Sequence, residues 1–339
     1  MDSDLKSRIE KLKQRKYPYQ NSEGKWGYTD VFGKIVIPPI FDGLGCHPRG
    51  GVGSYYVHKS ECNFVDDYFY EGFATFKINI SIEESGISEE VLSDYQMGLI
   101  SYENLKLYRF GYIDLDGNIK IEANYLGAFR FSEGLAAVIS PENDKFGYIN
   151  KEGDLVIPFD YDTGSDFKFG LAYVTKNGKG GFINQKGETI IPFIFDGKCG
   201  CRVMFNDKGL VILSKDDISV VINLKGEIIY TGTKDYFYSL FGSNLKFSKI
   251  AVTNAYQIQL TESGIIDLKT LKTTYVPVDF KDEEITNNYI ILGKEEAWEK
   301  FQSYDFTLKA YFNLDLKQLT PFKYNYAFGF KEGLARVGI

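Results

Sequence analysis

The sequence predicts an all-β fold of tandem three-stranded antiparallel repeats, about seven of them, and three observations predict it. One phrase recurs. Phe146-Gly-Tyr-Ile-Asn-Lys-Glu-Gly-Asp-Leu-Val-Ile-Pro158 is echoed by Trp26-Gly-Tyr-Thr-Asp-Val-Phe-Gly-Lys-Ile-Val-Ile-Pro38, by Phe110-Gly-Tyr-Ile-Asp-Leu-Asp-Gly-Asn-Ile-Lys-Ile, and by Gly181-Phe-Ile-Asn-Gln-Lys-Gly-Glu-Thr-Ile-Ile-Pro192. A turn glycine keeps the period at Gly33, Gly117, Gly153, Gly187 and Gly226, with spacings of 36, 34 and 39 residues from Gly117 onward. Such self-similarity marks a repeat architecture. Third, 44% of the 339 residues are hydrophobic and 16% aromatic, enough for a large core.

The stretch from Leu135 to Pro158 serves as the template. Leu-Ala-Ala-Val-Ile is an opening strand, and Pro141-Glu-Asn-Asp-Lys is a polar turn. Phe146-Gly-Tyr-Ile-Asn is the second strand. Lys151-Glu-Gly153 is a tight turn whose glycine takes a positive φ. Asp154-Leu-Val-Ile is the third strand, which Pro158 is expected to end, because proline cannot donate to a ladder. One such unit cannot fold alone. Four to six inward side chains contribute about 1.5–3 kcal/mol each, whereas ordering roughly 36 residues costs about 1–2 kcal/mol each in backbone entropy. Neighbouring units must therefore share a core.

Residues 1–20 read as an N-terminal amphipathic helix or tail, with Leu5, Ile9 and Leu12 on one stripe, and residues 21–339 as a single array. Gly33 and Gly117 lie 84 residues apart, so the surplus forms insertions at about 43–69 and 79–108. The second insertion has a cap at Ser88 with Val91, Leu92 and Tyr95 at helical spacing. Another helical interruption, at 294–304, carries Trp298 and Phe301. The copy at Trp26–Pro38 has no evident opening strand, and Gly333–Ile339 is an opening strand with nothing after it. Pairing of these two ends predicts a propeller-like toroid, with an open β-solenoid as the alternative.

The formal charge of −7 argues against non-specific nucleic-acid binding. No apolar run approaches the roughly 20 residues of a transmembrane helix. The N-terminus lacks a signal-peptide core, and four cysteines form no disulfide framework, so a cytoplasmic protein is expected. Both histidines, His47 and His58, lie in the first insertion with Cys46 and Cys62. His58-x-x-x-Cys62 is a workable zinc pair, but adjacent Cys46 and His47 seldom reach one ion, so chance clustering is preferred and no metal is expected. Cys199 and Cys201 read as small loop residues. The recurring Asp30, Asp114, Asn150, Asn184, Asn223, Asp267 and Asn313 read as turn stabilisers, not catalytic groups. No catalytic or cofactor-binding residue emerges.

Trp26-Gly27, the Phe110-Gly111 and Phe146-Gly147 variants, the turn glycine and the Ile-Pro strand resemble the bacterial WG repeat. So does the phrase Phe131-Ser-Glu-Gly-Leu-Ala136, repeated at Phe330–Ala335 and loosely at Tyr70–Ala74. The resemblance covers residues 25–40, 110–200 and the C-terminus, and is weak from 201 to 320. It implies a β-rich array and no transferable enzymatic activity. The expected function is a non-enzymatic scaffold that binds a protein partner through loops and insertions. The alternative is carbohydrate or small-ligand binding at the ring's mouth, and a hydrolase comes third.

Overall fold

The computed structural model describes residues 15–44, 69–99, 105–197, 203–233, 236–241, 244–254, 257–276, 280–285, 289–295, 307–313, 317–320, 326–331 and 334–338. The chain forms two compact units, Met1–Met204 and Phe205–Ile339. The first holds four antiparallel sheets among the described residues. The first sheet is β1 (Tyr17–Gln20), β2 (Trp26–Thr29) and β3 (Ile35–Phe41); the second is β4 (Gly43–Leu44), β5 (Ala74–Asn79), β6 (Tyr108–Ile113) and β7 (Ile119–Tyr125). The third is β8 (Gly127–Ala128), β9 (Ala136–Ile139), β10 (Phe146–Ile149) and β11 (Leu155–Tyr161); the fourth is β12 (Thr163–Gly164), β13 (Leu171–Lys176), β14 (Lys179–Asn184) and β15 (Thr189–Asp196). In the 79–108 insertion lie α1 (Ile82–Ser85) and α2 (Glu89–Gln96). Ser88 caps α2 as its sequence indicates, with Val91, Leu92 and Tyr95 half-buried, while the full capping box is at Ser81 and Glu84 of α1.

The second unit carries four more sheets among the described residues. They are β16 (Leu210–Lys215) to β18 (Ile228–Thr231), with β17 (Ile218–Asn223) between, and β19 (Tyr236–Phe241), β20 (Asn244–Asn254), β21 (Gln257–Asp267) and β22 (Thr273–Val276). Next come β23 (Phe280–Ile285), β24 (Tyr289–Glu295) and β25 (Thr307–Asn313), and last the pair β26 (Tyr326–Lys331) and β27 (Leu334–Gly338).

Several expectations change. Among the described residues there are eight opening strands in place of the expected seven, because β1 pairs with β2 along its whole length and is the opening strand that the first copy seemed to lack. The missing edge that argued for closure is thus filled locally, and residues 17–20 are strand, not tail. Short β4, β8 and β12 add a fourth strand to three sheets, because the chain leaving each third strand pairs briefly with the next opening strand. Lys294 and Glu295 belong to β24; the rest of the proposed helix there, like residues 1–14, lies outside the described residues.

No sheet of the first unit owns its core. Tyr28, Ile37 and Phe41 of the first sheet pack with Ala74, Phe76 and Ile113 of the second. Phe110, Tyr112 and Ile121 of the second pack with Ala136, Val138 and Ile149 of the third. Tyr148 and Ile157 of the third join Ala172, Val174 and Ile183 of the fourth. The second unit repeats the arrangement, with Val221 packed against Leu245 and Ile266. Period-two alternation turns alternate side chains to the two faces of each sheet, so a sheet in the middle of a run contributes to two such layers.

The motif glycine and the Ile-Pro strand explain each other. Phe110 pairs with Tyr125 and Tyr112 with Ile121, so a step of two residues on β6 answers a step of four on β7. The same bulge recurs at Trp26–Phe41, Phe146–Tyr161 and Gly180–Phe195. It lifts Pro38, Pro158 and Pro192 out of the ladder, so the third strand continues through the proline instead of ending there. The bulged backbone then lies on the glycine: a Cβ at Gly111 would sit 2.5 Å from the Ile121 carbonyl oxygen and 2.8 Å from the Ala123 nitrogen. In β17 and β18, Val220 stands in place of glycine and Thr231 in place of proline, and the two residues pair directly in the ladder.

The tight turn is held twice. Its glycine is left-handed (φ +90° at Gly153), and a Cβ on Gly117 would lie 2.9 Å from the Ile37 side chain of the preceding sheet. The Asp or Asn opening the turn accepts two backbone N–H groups on one oxygen: Asp114 from Asp116 and Asn118, each at 2.9 Å, and Asn184 from Lys186 and Glu188, each at 3.0 Å. Burial opposes the charge on Asp114. Hydrogen bonds from the Asn118 side chain and backbone, from Lys120 and from the Asp116 N–H outweigh it, holding the carboxyl at about 2.

Two outcomes follow from this geometry. In urea unfolding, Gly111→Ala is expected to cost about 3 kcal/mol, and Gly33→Ala, where a Cβ would meet nothing within 4 Å, about 1 kcal/mol from φ strain alone. Equal losses would contradict the close-approach account. Asp114 has a folded pKa below its unfolded value of about 3.9, so its stabilisation is complete above pH 4 and fades as the pH falls toward 2. Asp114→Asn, which copies Asn150 and Asn184, should be less stable than wild type at pH 6 and equal to it near pH 2.

Candidate functional site

A second set of repeated polar groups in the first unit binds sheet to sheet. Tyr112 Oη donates to the Phe129 carbonyl at 2.7 Å, and Tyr148 Oη to that of Ser165 at 2.9 Å. Both Glu133 oxygens accept N–H groups of Phe169 and Gly170 in the next sheet, each at 2.8 Å. Glu71 accepts from Gly134 at 3.1 Å and pairs with Lys151 at 3.0 Å. Burial works against the Glu71 charge, but Lys151 and these N–H groups prevail and lower its pKa. In the fourth sheet the counterpart of the tyrosine is Phe182 and that of the glutamate is Phe169, neither of which can make the link.

Arg130 pairs with Asp166 and stacks on Tyr70, its guanidinium carbon 4.9 Å from the ring centroid. Burial raises the Asp166 carboxyl, and Arg130 draws it back only in part. This cluster joins the loops of successive sheets and presents no free nucleophile. The structural set Trp26, Gly27, Gly33, Phe110, Gly111, Gly117, Phe146, Gly147, Gly153 and Gly187 lies in the strands and turns described above, with Gly226 in the turn between β17 and β18. Cys46, His47, His58, Cys62, Cys199 and Cys201 lie outside the described residues. Among the described residues no three His, Cys, Asp or Glu side chains are placed to hold a metal ion, and no helix is long and apolar enough to cross a membrane.

The surface that stands out is the outer strand of each sheet in the first unit. β3, β7, β11 and β15 lie at the sheet edge and share one burial pattern, with the first two residues exposed, the third buried and the fourth exposed. The exposed places hold aliphatic side chains: Ile35 and Val36, Ile119, Leu155 and Val156, then Ile190. The first sheet adds Phe32 at 80% exposure, Val31 and Ile40. Prolines at 38, 158 and 192 deny these edges a regular N–H row, so they disfavour main-chain pairing while leaving apolar side chains accessible. The sequence held the signal, since a run of two or three apolar residues before each proline exceeds what a half-buried strand needs for alternation.

Residues 26–46, 110–139, 146–179, 181–217 and 311–339 match the family described as WG containing repeat. No curated protein matches the chain. Among solved structures, the chain is similar to a eukaryotic initiation factor, at 8% identity and a TM-score of 0.31, over 91% of this chain and 85% of that one. It is similar also to AztD of Citrobacter koseri, at 11% identity and a TM-score of 0.35 over 62% and 65%, and to Hsv2 of Kluyveromyces lactis, at 13% and 0.31 over 56% and 60%. Likenesses this distant carry no activity to this chain. The repeat phrase, its glycines and the five matched segments agree: the chain carries WG containing repeats at five places along its length.

Proposed function

We propose that this protein is a non-enzymatic scaffold that binds a protein partner through the aliphatic outer strands of its first unit. The observation that carries the reading is the recurrence of exposed Ile, Val and Leu at the first or second position of the outer strand on successive sheets, densest at Val31, Phe32, Ile35, Val36 and Ile40 of the first sheet. Apolar groups left in water in register are a feature of interaction surfaces. Sheets that share cores hold the row stiffly, so little is lost to ordering on binding.

The test is capture of a partner by crosslinking in the source cell, followed by reconstitution with that partner in purified form. Phe32→Asp with Ile40→Asp alters only exposed positions and should leave the melting temperature near wild type. It should weaken the purified complex about tenfold or more, which corresponds to about 1.4 kcal/mol. Unchanged affinity, or turnover of a substrate by the purified chain, would refute the proposal.

A further inference from the structure

One copy breaks a rule that the other three of the first unit keep. The residue two places before the motif glycine is a cation paired with an aspartate seventeen positions on: Lys25 with Asp42 at 2.6 Å, Lys145 with Asp162, and Lys179 with Asp196 at 3.3 Å. In the second sheet the cation is Arg109, and the position of its aspartate is filled by buried Leu126. Among the described residues Arg109 has no carboxylate partner. Its Nη1 donates to the carbonyls of Tyr108 at 2.8 Å and Lys106 at 3.2 Å, and its Nη2 to that of Ser85, at the end of α1, at 3.3 Å. Burial lowers its pKa, and Tyr108 opposes that only weakly, so the charge is both partly desolvated and uncompensated.

The same arginine lines a cleft of about 500 Å³, where α1 stands beside β7 and the turn between β9 and β10. Half-buried Tyr125 and Phe159 give the cleft aromatic surface, and Asn124 and Glu142 line it with exposed polar side chains. Glu84 also lines it, with one oxygen engaged by the Ser81 N–H at 2.9 Å. The cleft lies against the 79–108 insertion, which no other copy in the first unit has at that place in the repeat. Cleft and missing counter-ion are separate observations that meet at one side chain.

We infer that this cleft binds a small sugar acid, whose carboxylate takes the place of the absent aspartate beside Arg109. Three of the five guanidinium N–H groups are held by carbonyls, leaving Nε–H and one on Nη2 for an incoming carboxylate. The C–H face of a pyranose suits Tyr125 and Phe159, and its hydroxyls suit Asn124 and the Glu142 carboxylate. Glu84 and Glu142 also set the class, because they repel a ligand with several negative charges more strongly than a hydroxylated monocarboxylate, whose single charge Arg109 offsets.

The inference does not rest on the outer-strand surface and is tested separately, by titrating the full chain with D-glucuronate and, in parallel, with D-glucose, followed by saturation-transfer NMR. D-glucuronate should bind at millimolar concentration, and D-glucose about tenfold more weakly or not at all. Arg109→Gln should weaken D-glucuronate about tenfold or more. Arg109→Lys restores the side chain of the sister copies, so it keeps the fold, and it should still lose most of the binding because an ammonium offers no planar fork. Absence of D-glucuronate binding, equal binding of both sugars, or full binding by Arg109→Lys would overturn the assignment.

Discussion

The constraint on which the structure depends is that apolar side chains are buried between sheets and not within them. Tyr148 and Ile157 of the third sheet are covered by Ala172, Val174 and Ile183 of the fourth, while Ile149 of the same sheet packs on the second. A lone sheet of this size would leave both faces in water and could not offset its backbone entropy. The repeat therefore recurs because each copy supplies a wall for the next. Its most regular residues are those that let walls approach: Gly117 turns against Ile37, and Gly111 lies beneath the bulged backbone of β7.

Polar links follow the same geometry. The motif tyrosine and the Glu-Gly glutamate each reach one sheet forward, to a carbonyl and to two N–H groups respectively. Each of these groups thereby serves the joining of one sheet to the next. The second sheet is the exception to the repeated pairing. There the repeat's aspartate becomes Leu126, its lysine becomes Arg109, and an inserted helix lines a cleft beside a cation that has no carboxylate partner among the described residues.

Much of this was legible in the sequence, and the failures have physical causes. The strands, the turn glycines and the Asp/Asn turns follow from spacing and from local hydrogen bonding, both of which act within a few residues. The first opening strand was hidden because Tyr17-Pro-Tyr-Gln lacks the Leu-Ala phrase of its sisters and is fixed by its pairing with Trp26–Thr29. The passage of β11 through Pro158 was hidden because the bulge that tolerates the proline is set by Gly147 on the neighbouring strand, eleven residues earlier. Composition alone left the exposed aliphatic rows unassigned, since it records that a residue is apolar and not which face it takes. The cleft needed coordinates: only the repeat alignment shows that Arg109 has lost its aspartate, and only the fold shows what lies beside it.

The most direct test of the shared core is native-state hydrogen exchange on Ile157→Ala. Ile157 is 1% exposed, belongs to the third sheet and packs with residues of the fourth. Its truncation should cost about 2–5 kcal/mol and lower protection by a similar amount in β10 and in β14, because one opening event exposes both. Loss of protection confined to the third sheet, with β14 unchanged, would contradict the account.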